Sequence, residues 1–350
     1  MHEVKKILVV QTAFLGDVIL TLPMIQTLKR AIPTAEIDVV VIPRSAELLH
    51  NHPAIDEIVE FDKRGRDKGI SGVIRKSRDL KRRNYDITFV PHRSLRSAAL
   101  VTFAGIPRRI GFERSAGRLL LTNVVRYDKN QHEVKRNLSL LQPIGIKADK
   151  EEYPCLYPSQ EDVSIVDRFL SDNSMKDAGP LIAVAPGTIW NTKRWLPERF
   201  IELVRNLCAS DFQVILIGGK ADTSLCDRIQ QSVSSSHVVS SSGKLSLLQS
   251  AEVIRRCRAL VCNDSAPMHL AVAVQTPVVA LFGATIPEFG FAPYGKNDVV
   301  VETKGLPCRP CSIHGGDKCP ITTFDCMVRI SSDQVYDKVR EVIEHSHAVR

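Results

Sequence analysis

KILVVQTAFLGDVILTLPMIQTLK, residues 6–29, decides how the chain folds. ILVV at its start is an uninterrupted apolar run, the pattern of a short strand buried on both faces. The run ends at Gln11 and Thr12, and Gly16 and Asp17 mark the junction to a new pattern. Ile19, Leu22, Ile25 and Leu28 recur at helical spacing, so DVILTLPMIQTLKRAI (17–32) reads as one helix, with Pro23 tolerated in its first turns. A buried strand feeding an amphipathic helix is the opening of a βαβ unit and predicts a parallel sheet.

Working outward, the alternation continues. EIDVVVIP (36–43), EIVEF (57–61), DITFVP (86–91) and RRIGF (108–112) read as strands, and HEVKRNLSLLQPIG (132–145) as a helix stopped by Pro143 and Gly145. A second series follows: PLIAVAPG (180–187), FQVILIGG (212–219), HVVSSS (237–242), RALVCND (258–264) and TPVVALFG (276–283). SSDQVYDKVREVIEHSHAV near the end places Val335, Val339 and Val342 on one helical face. With 350 residues the chain is too long for one typical core. The expected class is α/β, two Rossmann-like, doubly wound parallel sheets facing across a cleft. The expected boundaries are an N-terminal domain 1–160, a polar linker region 161–179, a C-terminal domain 180–330 and a terminal helix 331–350.

Apolar content of 44% and charged content of 25% are those of a soluble globular protein. No apolar run approaches the roughly 20 residues a membrane-spanning helix needs. The start, MHEVKKILVV, lacks the layout of a signal peptide, so the expected compartment is the cytoplasm. A net charge of +8 favours anionic partners. Residues 63–83 hold ten Lys or Arg against two Asp. They read either as a solvated helix and loop or as a patch for an anionic lipid surface or phosphorylated acceptor. Nucleic acid is disfavoured, because aromatic side chains for base stacking are not interleaved there.

In open parallel sheets ligands bind beyond the carboxyl ends of strands. FLGDVI lacks the three glycines of the dinucleotide fingerprint, which argues against an oxidoreductase. Gly16 permits close backbone approach; Asp17 is either a helix-start carboxylate or a general base. In APGTIWNTKRWLPERF (185–200), Thr188 closes a strand, and Lys193 and Arg194 precede a helix start: a phosphate site or an ordinary surface pair. Asp222, in GGKADTS, offers acceptors for ribose hydroxyls, and Leu245, in SSGKLSLLQ, an apolar contact for a base. CNDSAPMHLAVA (262–273) is the most informative turn. Asp264 and Ser265 stand at the start of a helix of small residues, where amides and a hydroxyl could hold phosphate oxygens, and His269 lies one turn further on.

With the GD helix opening and the NDS-x-x-x-H segment in one chain, the sequence resembles the glycosyltransferase family 9 heptosyltransferases, and most of all the heptosyltransferase II-like group. The resemblance runs through nearly the whole chain. It implies a GT-B fold, an acceptor-binding first half, an ADP-heptose-binding second half, and an inverting transfer to the lipopolysaccharide inner core without a catalytic metal. Asp17 then matches the catalytic base and Lys193 the phosphate-binding lysine. Asp264, Ser265 and His269 match the donor loop, Leu245 the adenine contact, and Arg93 and Arg96 of PHRSLRSAAL the cations facing an acidic acceptor. Thr188 and Asp222 join the donor side. Ala266 stands where the family commonly has glycine, which bears on the donor sugar. The implied partners are ADP-heptose and an anionic lipid A–inner core acceptor, with peripheral contact at the inner membrane. The alternatives are transfer of another nucleotide sugar and a non-catalytic sugar-nucleotide binder.

Of nine cysteines, Cys155, Cys208, Cys226, Cys257 and Cys262 are scattered and read as core residues. Cys308, Cys311, Cys319 and Cys326 form a C-x2-C-x7-C-x6-C cluster. In a reducing compartment this spacing suggests a structural zinc or thiolate-bound iron rather than disulfides.

Overall fold

The computed structural model describes residues 4–148, 151–175 and 179–348, with side chains up to residue 345. The chain divides into two compact units, Met1–Tyr157 and Pro158–Arg350.

In the first unit, strands β1 (Lys6–Val10), β2 (Glu36–Val41), β3 (Glu57–Glu60), β4 (Ile87–Val90), β5 (Arg108–Phe112) and β6 (Asn123–Val125) form a parallel sheet in the order β3-β2-β1-β4-β5-β6. Val9 of β1 is in register with Val39 of β2 on one side and Phe89 of β4 on the other. In the second unit, β7 (Leu181–Ala185), β8 (Gln213–Leu216), β9 (Val238–Ser240), β10 (Ala259–Asn263), β11 (Val278–Phe282) and β12 (Val299–Glu302) are also parallel, in the order β12-β11-β10-β7-β8-β9. Numbered from its own first strand, the second sheet repeats the order of the first. Each chain path starts in the middle, winds one way, then returns and winds the other. Strand order therefore reverses between β1 and β4, and between β7 and β10, and these are the two places where a doubly wound sheet binds ligands.

The central strands are buried along their length apart from Lys6 at the start of β1, as their apolar runs require. Leu8, Val10, Val40, Val90 and Leu100 contribute to a core in the first unit. Ile182, Trp195, Phe200 and Val261 contribute to one in the second, where the final helix Ser332–Ala348 inserts Val335, Val339 and Val342. Among the described residues no helix is long and apolar enough to cross a membrane.

Two features depart from the sequence reading, and one refines it. The helix expected over residues 17–32 is two helices, Leu15–Ile19 and Leu22–Ala31. Pro23 is the cause. It has no N–H to donate and its ring clashes with the carbonyl one turn back, so it sits in the first turn of a new helix instead. The linker region 161–179, read as containing one helix, carries the helix Gln160–Asp172, which groups with the second unit; residues 176–178 lie outside the described residues. Its polar sequence is the outer face of a helix that buries Val166 and Leu170, and Gln249 of helix Leu247–Arg256 donates to Asp162 at 3.2 Å. Finally, β6 and β12 were not expected. Both are edge strands, of three and four residues.

Candidate active site

The first reversal point begins at the end of β1. Gln11 and Thr12 continue it, buried, and the chain turns into helix Leu15–Ile19. Asp17 is the third residue of that helix. Its carboxylate reaches back to accept the N–H of Phe14 at 3.1 Å, so the helix-start role is realised. Gly16, beside it, has ordinary helical backbone, with its carbonyl accepting Leu20 N–H at 2.9 Å. Thr21, freed by the helix break, donates its hydroxyl to the Asp17 carbonyl at 2.8 Å and accepts Gln11 Nε2 at 3.0 Å.

The half-buried Asp17 carboxyl is pushed up from 3.8 to about 6. Burial is the main cause, and the nearby Glu133 carboxylate adds to it. The Phe14 N–H and the Arg93 guanidinium pull the other way. Glu133 opens helix Glu133–Ser139 and is buried. It accepts from Arg136 Nη1 at 2.8 Å and from the Tyr127 hydroxyl at 3.2 Å. Arg93 and Arg136 each place a guanidinium over the Tyr127 ring, 4.2 and 4.7 Å from its centroid. Asn137 of the same helix donates to the Leu20 carbonyl at 3.0 Å and fixes this network to the end of the Asp17 helix.

The loop after β4 supplies the rest. His92 Nδ1 lies 2.9 Å from both the Thr12 and Ser97 hydroxyls, and burial lowers it to about 4, so its ring is neutral. Arg93 is half-buried and Arg96 exposed. Arg96 donates to the Lys63 carbonyl at 3.2 Å, while Lys63 Nζ donates to the Thr12 carbonyl at 2.6 Å. Asp17, Arg93 and Arg96 thus come from the two strands that flank one reversal point. Sequence reading missed Glu133, His92 and the Tyr127 stack, and singled out Lys63 only as part of a basic run.

The second unit repeats the arrangement. The loop after β7 runs through Gly187 and Thr188 to a 3-10 turn, Asn191–Lys193, and then to helix Pro197–Ala209. Trp195 anchors it, fully buried, with its indole N–H donating to the Ile330 carbonyl at 3.1 Å and its ring edge-on to Phe200. Asn263, at the end of β10, joins the two strands. Its oxygen accepts the Trp195 N–H at 2.9 Å and its amide donates to the Pro186 carbonyl at 2.8 Å. Lys193 Nζ and Asp264 Oδ2 pair at 2.6 Å, and Thr285 donates to the same oxygen at 2.7 Å. Arg194 turns aside and braces the Thr188 carbonyl at 2.8 Å. Of the two expected cations, Lys193 is therefore the one beside Asp264.

Ser265 precedes helix Ala266–Ala273, but its hydroxyl donates to the Asn263 carbonyl at 3.2 Å rather than capping the helix. Ala266 is the first helical residue, half-buried, and His269 is buried one turn in. Asp222 accepts the Gly219 N–H at 2.9 Å and packs on the β7 loop. A Cβ at Gly187 would fall 2.1 Å from Asp222 Oδ1, so a larger residue there would have to displace the Asp222 carboxylate. Leu245 is half-buried after β9, the edge strand, and directly precedes the Ser246 cap of helix Leu247–Arg256.

The cysteine-rich segment meets this site from behind. Thr192 N–H donates to the Gly316 carbonyl at 3.0 Å, and Gly316 N–H donates to the Thr192 hydroxyl at 2.8 Å. A Cβ at Gly315 would lie 2.9 Å from Lys193 Cγ. Arg309 donates to the Thr285 carbonyl at 2.7 Å and to Glu302 at 2.9 Å. The segment thus packs against the backs of both Lys193 and Thr285. Cys326 is buried, and its thiol is pushed up to about 11, chiefly by burial and then by the three other thiols of the cluster. Among the described residues no group of three or more His, Cys, Asp or Glu is gathered closely enough to hold a metal ion. Of the scattered cysteines, Cys226, Cys257 and Cys262 are buried, while Cys155 and Cys208 are half-buried.

Two Rossmann-like units in one chain, each with polar side chains gathered at its reversal of strand order, have the GT-B architecture. Comparison with known proteins narrows this. The family model for glycosyltransferase family 9 (heptosyltransferase) matches residues 73–316. The chain is 31% identical over 294 residues to lipopolysaccharide heptosyltransferase 2 of Salmonella typhimurium, covering 81% of this chain and 84% of that one. It is 30% identical over 323 residues to lipopolysaccharide heptosyltransferase 1 of Pseudomonas aeruginosa, covering 87% and 86%. The solved structure of Escherichia coli ADP-heptose lipopolysaccharide heptosyltransferase II matches with a TM-score of 0.82 at 25% identity, over 98% of this chain and 99% of that one. The chain belongs to glycosyltransferase family 9, the heptosyltransferases.

Proposed function

We propose that the chain transfers a heptose from ADP-heptose to the inner core of lipopolysaccharide, with inversion at the anomeric carbon. The observation that carries this reading is the doubled placement at the reversal points. A carboxyl with a raised proton affinity and two arginines share one. A lysine, an aspartate and a helix start share the other.

In this reading the acceptor hydroxyl oxygen attacks the anomeric carbon from the face opposite ADP. The new C–O bond forms as the bond to the diphosphate oxygen breaks. The hydroxyl proton passes to Asp17, and ADP leaves with the bonding electron pair. A carboxyl near 6 is ionised at neutral pH yet more basic than an ordinary aspartate, which suits a general base. Arg93, Arg96 and Lys63 meet carboxylates and phosphates of the acceptor. Lys193 and the helix start at Ser265 and Ala266 take up charge on the diphosphate, the task a metal performs in other transferases. Asp264 accepts hydrogen bonds from the sugar, Thr188 and His269 line the donor side, Asp222 receives the ribose and Leu245 the adenine.

The test is transfer from labelled ADP-heptose to a heptose-deficient core acceptor, with the product anomer determined. The expected result is an inverted product, with turnover reduced about 10²–10⁴-fold by Asp17→Ala. Retention of configuration overturns the mechanism, near-parental turnover by Asp17→Ala overturns the base, and preference for a uridine or guanosine sugar overturns the donor.

A further inference from the structure

Two donors converge on one oxygen of Asp264 and leave the other to a ligand. Lys193 Nζ and the Thr285 hydroxyl both meet Oδ2, at 2.6 and 2.7 Å, while Oδ1 takes no hydrogen bond from the described residues. Asp264 is buried, and a buried carboxylate oxygen without a donor is an acceptor waiting for one.

The two donors differ in what holds them. Lys193 ends in an ammonium with three protons on a flexible stem, and an anion entering beside it draws some of those protons away from Asp264. The buried Thr285 hydroxyl has one proton, which goes to Asp264, and a β-branched side chain is stiff at its first torsion. Neighbouring strands set the two residues side by side. β10 and β11 pair Asn263 with Leu281, and the Asp264 N–H donates to the Leu281 carbonyl at 3.0 Å, so the loop after β11 starts next to Asp264.

That loop is itself clamped by the cysteine-rich segment. Arg309 Nη2 donates to the Thr285 carbonyl at 2.7 Å and to Glu302 at 2.9 Å, and its Nη1 donates to the Thr303 carbonyl at 2.6 Å. The Cys311 N–H donates to the Ala284 carbonyl at 2.9 Å. The side chains of Arg309 and Glu302 are both largely buried. One guanidinium thus ties the end of β12 to the residue that orients Asp264, a task that suits the planar fork of arginine.

We infer that Thr285 and Arg309 are positioning residues for the sugar of the donor. Thr285 fixes the Asp264 carboxylate with Oδ1 open, and Arg309 fixes Thr285. A sugar hydroxyl that donates to Oδ1 then meets an acceptor already in place, and binding loses no free energy in orienting it. The identity of the ligand rests on the proposed function; the chain of contacts does not.

The experiment is calorimetric titration of ADP and of ADP-heptose into the parent chain, Thr285→Val, Thr285→Ser and the double variant Arg309→Met, Glu302→Gln, which removes the ion pair without leaving a buried charge behind. The quantity read is the ratio of the affinities for ADP-heptose and ADP. Thr285→Val keeps the shape and loses the proton; it should lower that ratio about tenfold, with ADP affinity unchanged within about twofold. Thr285→Ser should return the ratio to within about threefold of the parent, and the double variant should lower it at least about threefold. A loop that only supports the fold would weaken both ligands alike or neither. Either result in Thr285→Val overturns the inference, as does a Thr285→Ser that behaves like Thr285→Val, and an unchanged ratio in the double variant overturns the role of Arg309. A parent that prefers a uridine or guanosine sugar sinks the proposed donor instead, and the same ratio, taken with that sugar and its nucleotide, then decides the inference.

Discussion

Replacing Asp17 by asparagine should stop transfer and at the same time stabilise the first unit. The carboxyl is raised from 3.8 to about 6 in the folded chain. At pH values above 6 it is ionised in both folded and unfolded states, and the folded state bears the cost. The rise from 3.8 to about 6, converted at about 1.36 kcal/mol per tenfold change in proton affinity, sets a ceiling of about 3 kcal/mol. Asparagine carries no charge to desolvate, and its side-chain oxygen can still accept the Phe14 N–H. The sign follows from linkage. A group with a raised folded pKa favours folding fully below its unfolded value and loses that contribution as pH rises through the folded one. The advantage of asparagine should therefore be near its ceiling at about pH 8, shrink to about 1 kcal/mol at about pH 4.5, and vanish near pH 3. Calorimetric unfolding of both proteins across this range measures it. A variant that is no more stable than the parent at about pH 8, or whose advantage is independent of pH, would refute the burial and charge environment assigned to Asp17.

The same environment sets the pH dependence of turnover. Activity should fall on the acid side with a midpoint near 6; Glu133→Gln should move that midpoint down and Arg93→Ala should move it up, as pH–rate profiles would reveal. Lys193→Ala should lower kcat by about 10²–10³-fold in steady-state kinetics, the usual effect of removing one donor from a developing charge. Thr192→Val deletes the hydroxyl that receives Gly316 N–H and should weaken donor binding several-fold by calorimetry, by about 1 kcal/mol, without unfolding the unit. Asn263→Ala leaves the Trp195 N–H and the Pro186 carbonyl buried without their partner and should cost about 2–4 kcal/mol in urea unfolding.

The doubly wound class was legible because its central strands are buried on both faces and must be written as apolar runs such as ILVV and ALVC. The edge strands β6 and β12 were not, although β3 and β9, edge strands of the same lengths, were. Pro23 was seen, but its consequence was not; whether a proline near a helix start bends, ends or begins a helix depends on what its neighbours pack against. Asp17, Lys193, Asp264 and Ser265 stood out because each lies between the end of a strand and the first turn of the helix that follows it, and local sequence carries that. Glu133 lies more than a hundred residues from Asp17, and its only local mark is a Glu-Arg pair three residues apart. The clasp between Thr192 and Gly316 left no mark, because it joins a short turn to a loop more than a hundred residues away through one backbone bond and a single threonine hydroxyl.

The central claim is a division of labour: one unit holds the donor diphosphate and the other supplies the base. Calorimetric titration of ADP-heptose into the parent, Lys193→Ala and Asp17→Asn measures it most directly. The account predicts that Lys193→Ala loses most of the affinity and that Asp17→Asn keeps nearly all of it while failing to turn over. Equal loss of binding in both variants, or full binding in Lys193→Ala, would contradict it.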